Sequence, residues 1–451
     1  MVNSKITKAI QKNQKRKKQT AISFTKKLNL NLGLKKQFHT FADDAPWTSC
    51  VAFSPNGHFV GTTGVDNTAK IYDFKTGKLV YQYALHTDYV LSIAFSPDGF
   101  FAVTGGLDNT ARIWEVRTGR TMHVLNDHYL RISVVGYSRD GKYVTTSSHD
   151  GTAKIWNVKD GKTLMVLQGH DDRLGSNTIS PDSRYVATAS ADKTARIWDV
   201  KTGKTVHIFK GHTEMVEGVA FSPDGKYLAT ASHDHTARIW NIETEKIMHI
   251  LKGHTHILGA VTFSPDGKQV VTVSDDNTAR IWDVQTGETI HTLTGHKECI
   301  NSVAFNPSGK VLATASADGT TRFWSPEDGE LLATLHNIYN NFLWSAPPDK
   351  ASPAGWFWTD KTETIEVHKC KEDGSEMEKL KGDNPERNQY VHLFNRQDIV
   401  MSRLNDWEKY LRIIDDIIRP KELFYINKQI DIKRKQISSK VTSRKRKMKE
   451  M

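Results

Sequence analysis

Short apolar runs alternate with turn-forming residues along most of this chain. Within residues 211–252, an apolar run is closed by Ser-Pro-Asp-Gly at 222–225, a sequence that suits a type I turn. No apolar pattern of helical period fits inside this stretch. The pattern instead predicts four short strands separated by polar loops. These strands are 216–221, 227–232, 236–242 and 247–251.

The same pattern returns at a fixed interval. An aspartate recurs every 42 residues, and most copies are followed by the phrase Asp-x-Thr-Ala-Lys/Arg-Ile-Trp. The seven positions are Asp66, Asp108, Asp150, Asp192, Asp234, Asp276 and Asp318. A period of about 40 residues that contains four strands is typical of a propeller blade rather than of a helical repeat. We therefore predict an all-β, β-propeller fold.

The repeats also carry Gly-His pairs and Trp-Asp or Trp-Asn pairs. The histidines of the Gly-His pairs are His170, His212, His254 and His296, and the tryptophans are Trp156, Trp198, Trp240 and Trp282. On these residues the chain resembles the WD-repeat family of β-propellers over roughly residues 37–335. The resemblance implies a rigid, non-enzymatic platform that presents a face of the ring to protein partners.

Within five repeats a His, a Ser, an Asp and a Trp recur at fixed spacing. A catalytic triad is needed once, in a cleft, whereas this combination occurs five times, so we predict no catalytic residue. The resemblance implies that the four residues form a buried hydrogen-bond network, which would hold strand register. The residues are His128, Ser148, Asp150, Trp156, His170, Ser190, Asp192, Trp198, His212, Ser232, Asp234, Trp240, His254, Ser274, Asp276, Trp282, His296, Ser316, Asp318 and Trp324.

The number of blades is less evident from the sequence. Asp360 extends the 42-residue grid, and 341–346 followed by Pro-Pro-Asp resembles a first strand with its turn. At the other end, 37–41 aligns with the fourth strands of later repeats, although repeat seven has its own fourth strand at 331–335. A terminal strand that completes the last blade is a common way to remove an open edge. We therefore expect eight blades, with a seven-bladed ring and an attached hairpin at 338–382 as the alternative.

Other motifs do not support a cofactor or metal site. Gly-Lys-Thr at 161–163 and 203–205 lacks the leading glycine of a phosphate-binding loop. The pair His233 and His235 is explained by a loop rich in histidine, and three scattered cysteines suit neither zinc nor a disulfide framework. Unpaired cysteines indicate a reducing compartment, so we expect a cytoplasmic protein, or a nuclear one if the organism is eukaryotic.

The charge is concentrated at the ends of the chain. Residues 1–36 carry a net charge of +11 and residues 427–451 carry +8, whereas 37–426 sums to −8. We expect these ends to be disordered basic tails, which could hold the phosphates of RNA, of DNA or of an anionic membrane. The predicted domains are thus tail 1–36, propeller 37–382, helical segment 383–426 and tail 427–451. No transmembrane segment is predicted.

The helical segment has an apolar stripe on one face. The stripe consists of Val400, Leu404, Trp407, Leu411, Ile414 and Ile418, and the pattern stops at Pro420. Spacings of 4 and 3 residues suit a helix that packs on the propeller or forms a short coiled coil with another chain. Both readings remain open, so helix-mediated association is an alternative to internal packing.

The loops vary between repeats much more than the strands do. The family resemblance places partner contacts on the loops before first strands and after second strands. The residues at these positions include aromatic and arginine side chains, which dominate binding hot spots. The predicted partner-binding residues are Trp47, Tyr89, Arg131, Arg173, Met215, His149 and His233. We expect a protein-interaction scaffold; a nucleic-acid-associated factor with phosphate-binding tails is the alternative.

Overall fold

The computed structural model describes residues 47–338 and the short strands at 341–346, 356–358, 367–370 and 377–380. The chain divides into two compact units, one of residues 42–344 and one that combines the two ends of the chain. Within the first unit, antiparallel strands form seven sheets, six of four strands and one that extends beyond four, and we number these blades one to seven in chain order.

Blades one to four contain sixteen strands. They are β1 (Thr48–Phe53), β2 (Phe59–Gly64), β3 (Ala69–Asp73), β4 (Leu79–Tyr83), β5 (Val90–Phe95), β6 (Phe101–Gly106), β7 (Ala111–Glu115), β8 (Thr121–Leu125), β9 (Ile132–Tyr137), β10 (Tyr143–Ser148), β11 (Ala153–Asn157), β12 (Thr163–Leu167), β13 (Leu174–Ile179), β14 (Tyr185–Ser190), β15 (Thr194–Asp199) and β16 (Thr205–Lys210).

Blades five to seven contain twelve further strands, and four more follow them. The blade strands are β17 (Val216–Phe221), β18 (Tyr227–Ser232), β19 (Thr236–Asn241), β20 (Ile247–Lys252), β21 (Leu258–Phe263), β22 (Gln269–Ser274), β23 (Ala279–Asp283), β24 (Thr289–Leu293), β25 (Ile300–Phe305), β26 (Leu312–Ser316), β27 (Thr320–Trp324) and β28 (Leu331–Ile338). The others are β29 (Asn341–Ala346), β30 (Trp356–Trp358), β31 (Val367–Cys370) and β32 (Met377–Leu380).

Each blade follows from its turn residues and its alternating pattern. In blade five the Ser222 hydroxyl accepts the Tyr227 N–H at 2.9 Å and donates to Asp224 at 2.6 Å, which fixes the turn between β17 and β18. Gly225 has φ near 72°, a conformation that favours glycine. The strands pair in the antiparallel register expected of a hairpin, with Leu228 opposite Phe221. Strand bounds in this blade agree with the sequence prediction to within one residue.

The core lies between neighbouring blades rather than inside a single sheet. Trp240 of blade five is 2% exposed and packs with Ile197 and Phe209 of blade four. In the same way Trp282 of blade six packs with Ile239 of blade five. A blade cannot bury its apolar faces alone, so the sheets are stable only when stacked into a ring.

The ring closes after seven blades, and the prediction of eight is wrong. The inner strand β25 of blade seven contacts β1 of blade one. The Asn301 side chain donates to the Thr48 carbonyl oxygen at 3.0 Å, and the Val51 N–H donates to Ser302 Oγ at 3.3 Å. The Phe323 ring of blade seven also lies 6.3 Å from the ring of Phe53. These contacts occupy the place where an eighth blade would have to enter.

Some of the segments predicted to form an eighth blade lie elsewhere in the structure, and others fall outside the described residues. Strand β29, predicted as its first strand, lies beside β28 in the sheet of blade seven. In the second unit, β31 and β32 form an antiparallel hairpin with Val367 opposite Leu380. The predicted N-terminal strand at 37–41, the helical segment and both basic tails lie outside the described residues.

Removing residues 347–451 should leave the melting temperature of the ring almost unchanged, because the contacts between blades one and seven do not involve them. Removing residues 331–451 should lower it by several degrees, because the outer strand of blade seven is lost and β27 becomes an open edge. Circular dichroism melts of both variants test this. A large loss in the first truncation would show that residues beyond 346 close the ring.

Candidate protein-binding face

A chain of buried hydrogen bonds crosses each regular blade. In blade five the Trp240 Nε1–H donates to Thr230 Oγ1 at 2.9 Å, and the same hydroxyl lies 2.8 Å from His212 Nε2. The other ring nitrogen, His212 Nδ1, lies 2.7 Å from Asp234 Oδ2. Blades three, four, six and seven repeat these three contacts with distances of 2.6–2.9 Å.

The direction of each bond follows from counting protons. Since the Thr230 oxygen accepts the indole N–H, its own proton is available to donate to His212 Nε2, and burial, which lowers the pKa of His212, favours the neutral ring that accepts it. His212 is therefore neutral, and its Nδ1–H donates to the Asp234 carboxylate. That carboxylate also accepts the Thr236 hydroxyl at 2.6 Å and the Thr213 N–H at 3.2 Å. Every polar atom of the chain is thus satisfied with a neutral ring and an ionised acid.

The pKa values of the two groups also favour a neutral histidine and an ionised aspartate. Burial lowers the pKa of His212, and the hydrogen bond to Asp234 offsets this only in part. Burial alone would raise the pKa of Asp150 in blade three. The hydrogen bonds from His128 and Thr152 outweigh burial there and lower the pKa of Asp150 to about 2. The pKa of Asp234 is lowered in the same way, so at neutral pH the His212–Asp234 pair is a neutral imidazole beside a carboxylate.

The structure changes the predicted role of the serines. Ser232 is fully buried, donates to the Glu214 carbonyl oxygen at 3.2 Å and accepts the Asp234 N–H at 3.1 Å. It therefore ties two loops together, while a threonine, which the sequence analysis missed, joins His to Trp. The signal was present, because a threonine occupies this position in all seven repeats. These residues are Thr62, Thr104, Thr146, Thr188, Thr230, Thr272 and Thr314.

The first two blades depart from this arrangement. In blade two the Trp114 indole has no hydrogen-bond partner and stacks on Tyr83 with ring centroids 4.4 Å apart. In blade one the Asp66 carboxylate contacts Lys70 Nζ at 2.7 Å, and both side chains are buried. The structure thus has two irregular blades next to five regular ones.

The predicted partner-binding residues lie together on one face. We call the upper face the one formed by the loops before first strands and between second and third strands; the turns between the other strands form the lower face. On the upper face the Leu107 N–H donates to the Tyr89 carbonyl oxygen at 2.9 Å. The His149 N–H donates to Arg131 at 3.0 Å, and the His233 N–H to Met215 at 2.9 Å. The two predicted sets of loop positions are therefore neighbours in each blade.

Exposure divides these residues into two groups. Trp47 is 59% exposed and Tyr89 is 42% exposed, and Arg131 and Arg173 are also exposed. Met215, the equivalent residue in blade five, is only 7% exposed, so its side chain offers no binding surface, contrary to the prediction. Its sulfur instead lies 3.6 Å from the Arg173 guanidinium. His149 and His233 are partly buried.

Two further exposed side chains were missed by the sequence analysis. Tyr129 is 69% exposed and Leu130 is 46% exposed, in the loop that precedes β9. The Tyr129 hydroxyl donates to the Asp150 carbonyl oxygen at 3.1 Å, which fixes the loop on the upper face. The signal was the departure from the neighbouring repeats, where polar residues follow the histidine, such as Thr213 and Glu214. We call Trp47, Tyr89, Tyr129 and Leu130 the apolar patch.

Cationic side chains border the apolar patch on blades three and four. The Arg131 Nε–H donates to His149 Nε2 at 3.1 Å. Burial and the guanidinium groups of Arg131 and Arg173 lower the pKa of His149 to about 4, so this ring is neutral at neutral pH. Further round the ring, His233 Nε2 lies 3.4 Å from Glu217 Oε2. The upper face therefore changes from apolar to cationic and then to mixed charge.

Among the described residues, the side chains that could suggest a catalytic triad make structural hydrogen bonds instead. The recurring Ser side chains bind the loops of each blade, and the recurring His and Asp side chains belong to the hydrogen-bond chain to Trp. Across 47–338 and the short later strands, no group of His, Cys, Asp or Glu could hold a metal ion. The same residues contain no helix that is long and apolar enough to cross a bilayer.

Comparison with known families agrees with this architecture. The profile of the family described as "WD domain, G-beta repeat" matches seven consecutive segments that together span more than half of the chain. They are 35–73, 77–115, 119–157, 161–199, 203–241, 245–283 and 287–325. The chain belongs to the WD-repeat family. In this WD-repeat protein, the six segments from 77 onward each run from the outer strand of one blade to the third strand of the next. No curated protein matched the chain.

Thr230→Val should destabilise the protein by about 2–4 kcal/mol, because two buried polar groups, on Trp240 and His212, lose their partner. The matched control is Thr104→Val, which removes only the contact to His86, since Trp114 makes no such bond. Its cost should be about half. Urea unfolding measures both values; equal losses would contradict the bridging role of the threonine.

Acidification from about pH 7 to about pH 5 should lower the free energy of unfolding. Burial lowers the folded-state pKa of His212, His254 and His296 below the value of about 6.5 expected in the unfolded chain. Below that pH the unfolded chain takes up protons that the folded chain does not, at up to about 1.4 kcal/mol per histidine per pH unit. The network aspartates are ionised in both states over this range. Stability that rises on acidification in urea titrations would contradict the assignment of neutral rings.

Proposed function

We propose that this WD-repeat protein is a non-enzymatic scaffold whose upper face binds a protein partner through blades one to four. The observation that carries the proposal is the asymmetry of the ring. At one and the same loop position, blades one to four present exposed aromatic or arginine side chains, whereas blade five presents the buried Met215. Packing of the fold does not require this difference, because the backbone contacts of these loops are the same around the ring.

The chemistry of the patch indicates the kind of partner. Large exposed apolar side chains on a soluble protein mark interaction surfaces. Trp, Tyr and Arg are the residues that contribute most to binding energy when a partner covers them. Arg131 and Arg173 border the apolar patch, so a partner segment with an apolar side chain beside a carboxylate fits this surface best.

Rigidity supports the same role. The loops that carry Tyr129 and Arg131 are tied to the blade by the His128 network and by the bond from Ser148 to the Leu130 carbonyl oxygen, at 2.9 Å. A surface held in its bound shape loses little conformational entropy when a partner binds. The buried network in each blade therefore serves binding through the loops that it anchors.

Partner capture tests the proposal directly. The full-length protein is immobilised and exposed to an extract of its own cells, and bound proteins are quantified by mass spectrometry. Replacing both Tyr89 and Leu130 with alanine should weaken binding of the main partner at least a hundredfold, since each such residue contributes about 2 kcal/mol. The control is Lys142→Ser with Lys226→Ser, which changes two exposed lysines on the lower face.

The outcomes separate the proposed function from its alternatives. Capture that survives about 500 mM salt and nuclease treatment supports a protein partner, whereas loss under those conditions supports the nucleic-acid alternative, because phosphate contacts weaken steeply with salt. That alternative depends on the basic tails, which lie outside the described residues. Loss of the partner in the lysine variant, with normal capture by the Tyr89 and Leu130 variant, would contradict the proposed face.

A further inference from the structure

The lower face carries opposite charges on its two sides. In blades two to four, the turns between third and fourth strands present six exposed basic residues, which we call the basic arc: Arg117, Arg120, Lys159, Lys162, Lys201 and Lys204. The turns of blades five to seven present six exposed acidic residues, the acidic arc: Glu243, Glu245, Glu288, Glu327, Asp328 and Glu330. Single opposite charges, Asp160 and Lys246, interrupt the arcs, and the equivalent turn of blade one, which lies between them, carries the exposed Lys75 and Lys78.

The turn itself does not require either sign of charge. In blade two the Gly119 N–H donates to the Glu115 carbonyl oxygen at 2.8 Å, and in blade six the Gly287 N–H donates to Asp283 at 2.9 Å. Both glycines have positive φ, near 68° and 73°. The same backbone turn thus carries Arg120 in the basic arc and Glu288 in the acidic arc, so the separation of charge is not a by-product of turn formation.

The turns nearer the centre of the lower face are close to neutral. Between first and second strands, Lys142 Nζ lies 3.2 Å from Asp140 Oδ2, and Lys226 Nζ lies 4.0 Å from Asp224 Oδ2. Acid and base are therefore paired within the same turn. Most of the unbalanced charge of this face therefore lies in the two arcs at its outer rim, with the two lysines of blade one between them.

We propose that the lower face binds a second copy of this chain, face to face, about a two-fold axis in the plane between the rings. Such an axis, directed midway between the two arcs, places the basic arc of each copy over the acidic arc of the other. A two-fold interface must be self-complementary, and a face with one basic and one acidic side meets that condition. Complementary charge also speeds encounter and fixes orientation.

A second copy of the chain would form favourable charge contacts with both arcs, whereas a flat polyanion would form them with the basic arc alone. A nucleic acid or an anionic membrane that covered this face would be attracted by the basic arc and repelled by the acidic arc. In the dimer, both upper faces point outward, so the assembly would present two partner-binding surfaces and bind repeated partners with avidity. The proposal concerns the other face of the ring and does not depend on the proposed function.

Charge reversal in the full-length protein tests the dimer. The first variant combines Arg120→Glu, Lys162→Glu and Lys204→Glu, which cancels the net positive charge of the basic arc. The second combines Glu288→Lys, Glu327→Lys and Glu330→Lys, which cancels the net negative charge of the acidic arc. The matched control reverses three lysines of the upper face, Lys193, Lys210 and Lys252, to glutamate. Analytical ultracentrifugation measures the association of each at about 50 mM and about 500 mM salt.

The expected results are specific to two-fold pairing of the arcs. The wild type and the control should dimerise at low salt, each rim variant alone should associate at least tenfold more weakly, and an equimolar mixture of the two rim variants should form a heterodimer. A wild type that remains monomeric at low salt would overturn the proposal. So would dimers unaffected by either reversal, or a mixture that stays monomeric. If the wild type instead stays monomeric and retains RNA or anionic vesicles that the basic-arc variant does not retain, a polyanion is the occupant.

Discussion

The hydrogen-bond chain that joins Trp to Thr, His and Asp is the interaction on which this propeller depends. It connects the third strand of a blade, through the second strand, to both loops of the upper face. Because each polar atom has its partner only when the strands stand in one register, the chain selects that register in a sheet whose apolar faces alone would allow slippage. Stability and the shape of the binding face therefore come from the same buried atoms.

Because the buried network holds the loops, the side chains on the loops can differ between blades while the strands and their hydrogen bonds stay the same. In blade five the loop residue Met215 folds inward, whereas in blade three the equivalent Arg131 is exposed; yet both loops are held by the same contacts to His and Asp. Exposed loop side chains outside the network differ between blades that keep the same backbone contacts. The irregular blades, with Trp114 stacked on Tyr83 and Lys70 paired with Asp66, show that other buried contacts can take its place.

The sequence predicted local structure well and long-range closure poorly. Turn residues such as Pro223 and Gly225 act over four positions, so strand ends in blade five were predicted to within one residue. Closure depends on the contact between Asn301 and Thr48, which are distant in sequence, and no local pattern reports it. The register of Asp360 therefore suggested an eighth blade that the ring excludes. The predicted partner-binding residues lie in upper-face loops, but the burial of Met215 depends on packing that spacing does not encode.

The protonation state of the network histidines tests the central claim most directly. Long-range ¹H–¹⁵N NMR spectra of the imidazole rings distinguish the two neutral tautomers from the charged form. Hydrogen bonding through threonine predicts that His128, His170, His212, His254 and His296 all carry a proton on Nδ1 and none on Nε2 at neutral pH. Burial lowers the pKa of His212, His254 and His296, so these three rings should stay neutral to a lower pH than an exposed histidine does. Rings protonated on Nε2, or charged at neutral pH, would contradict the proposed direction of every bond in the chain.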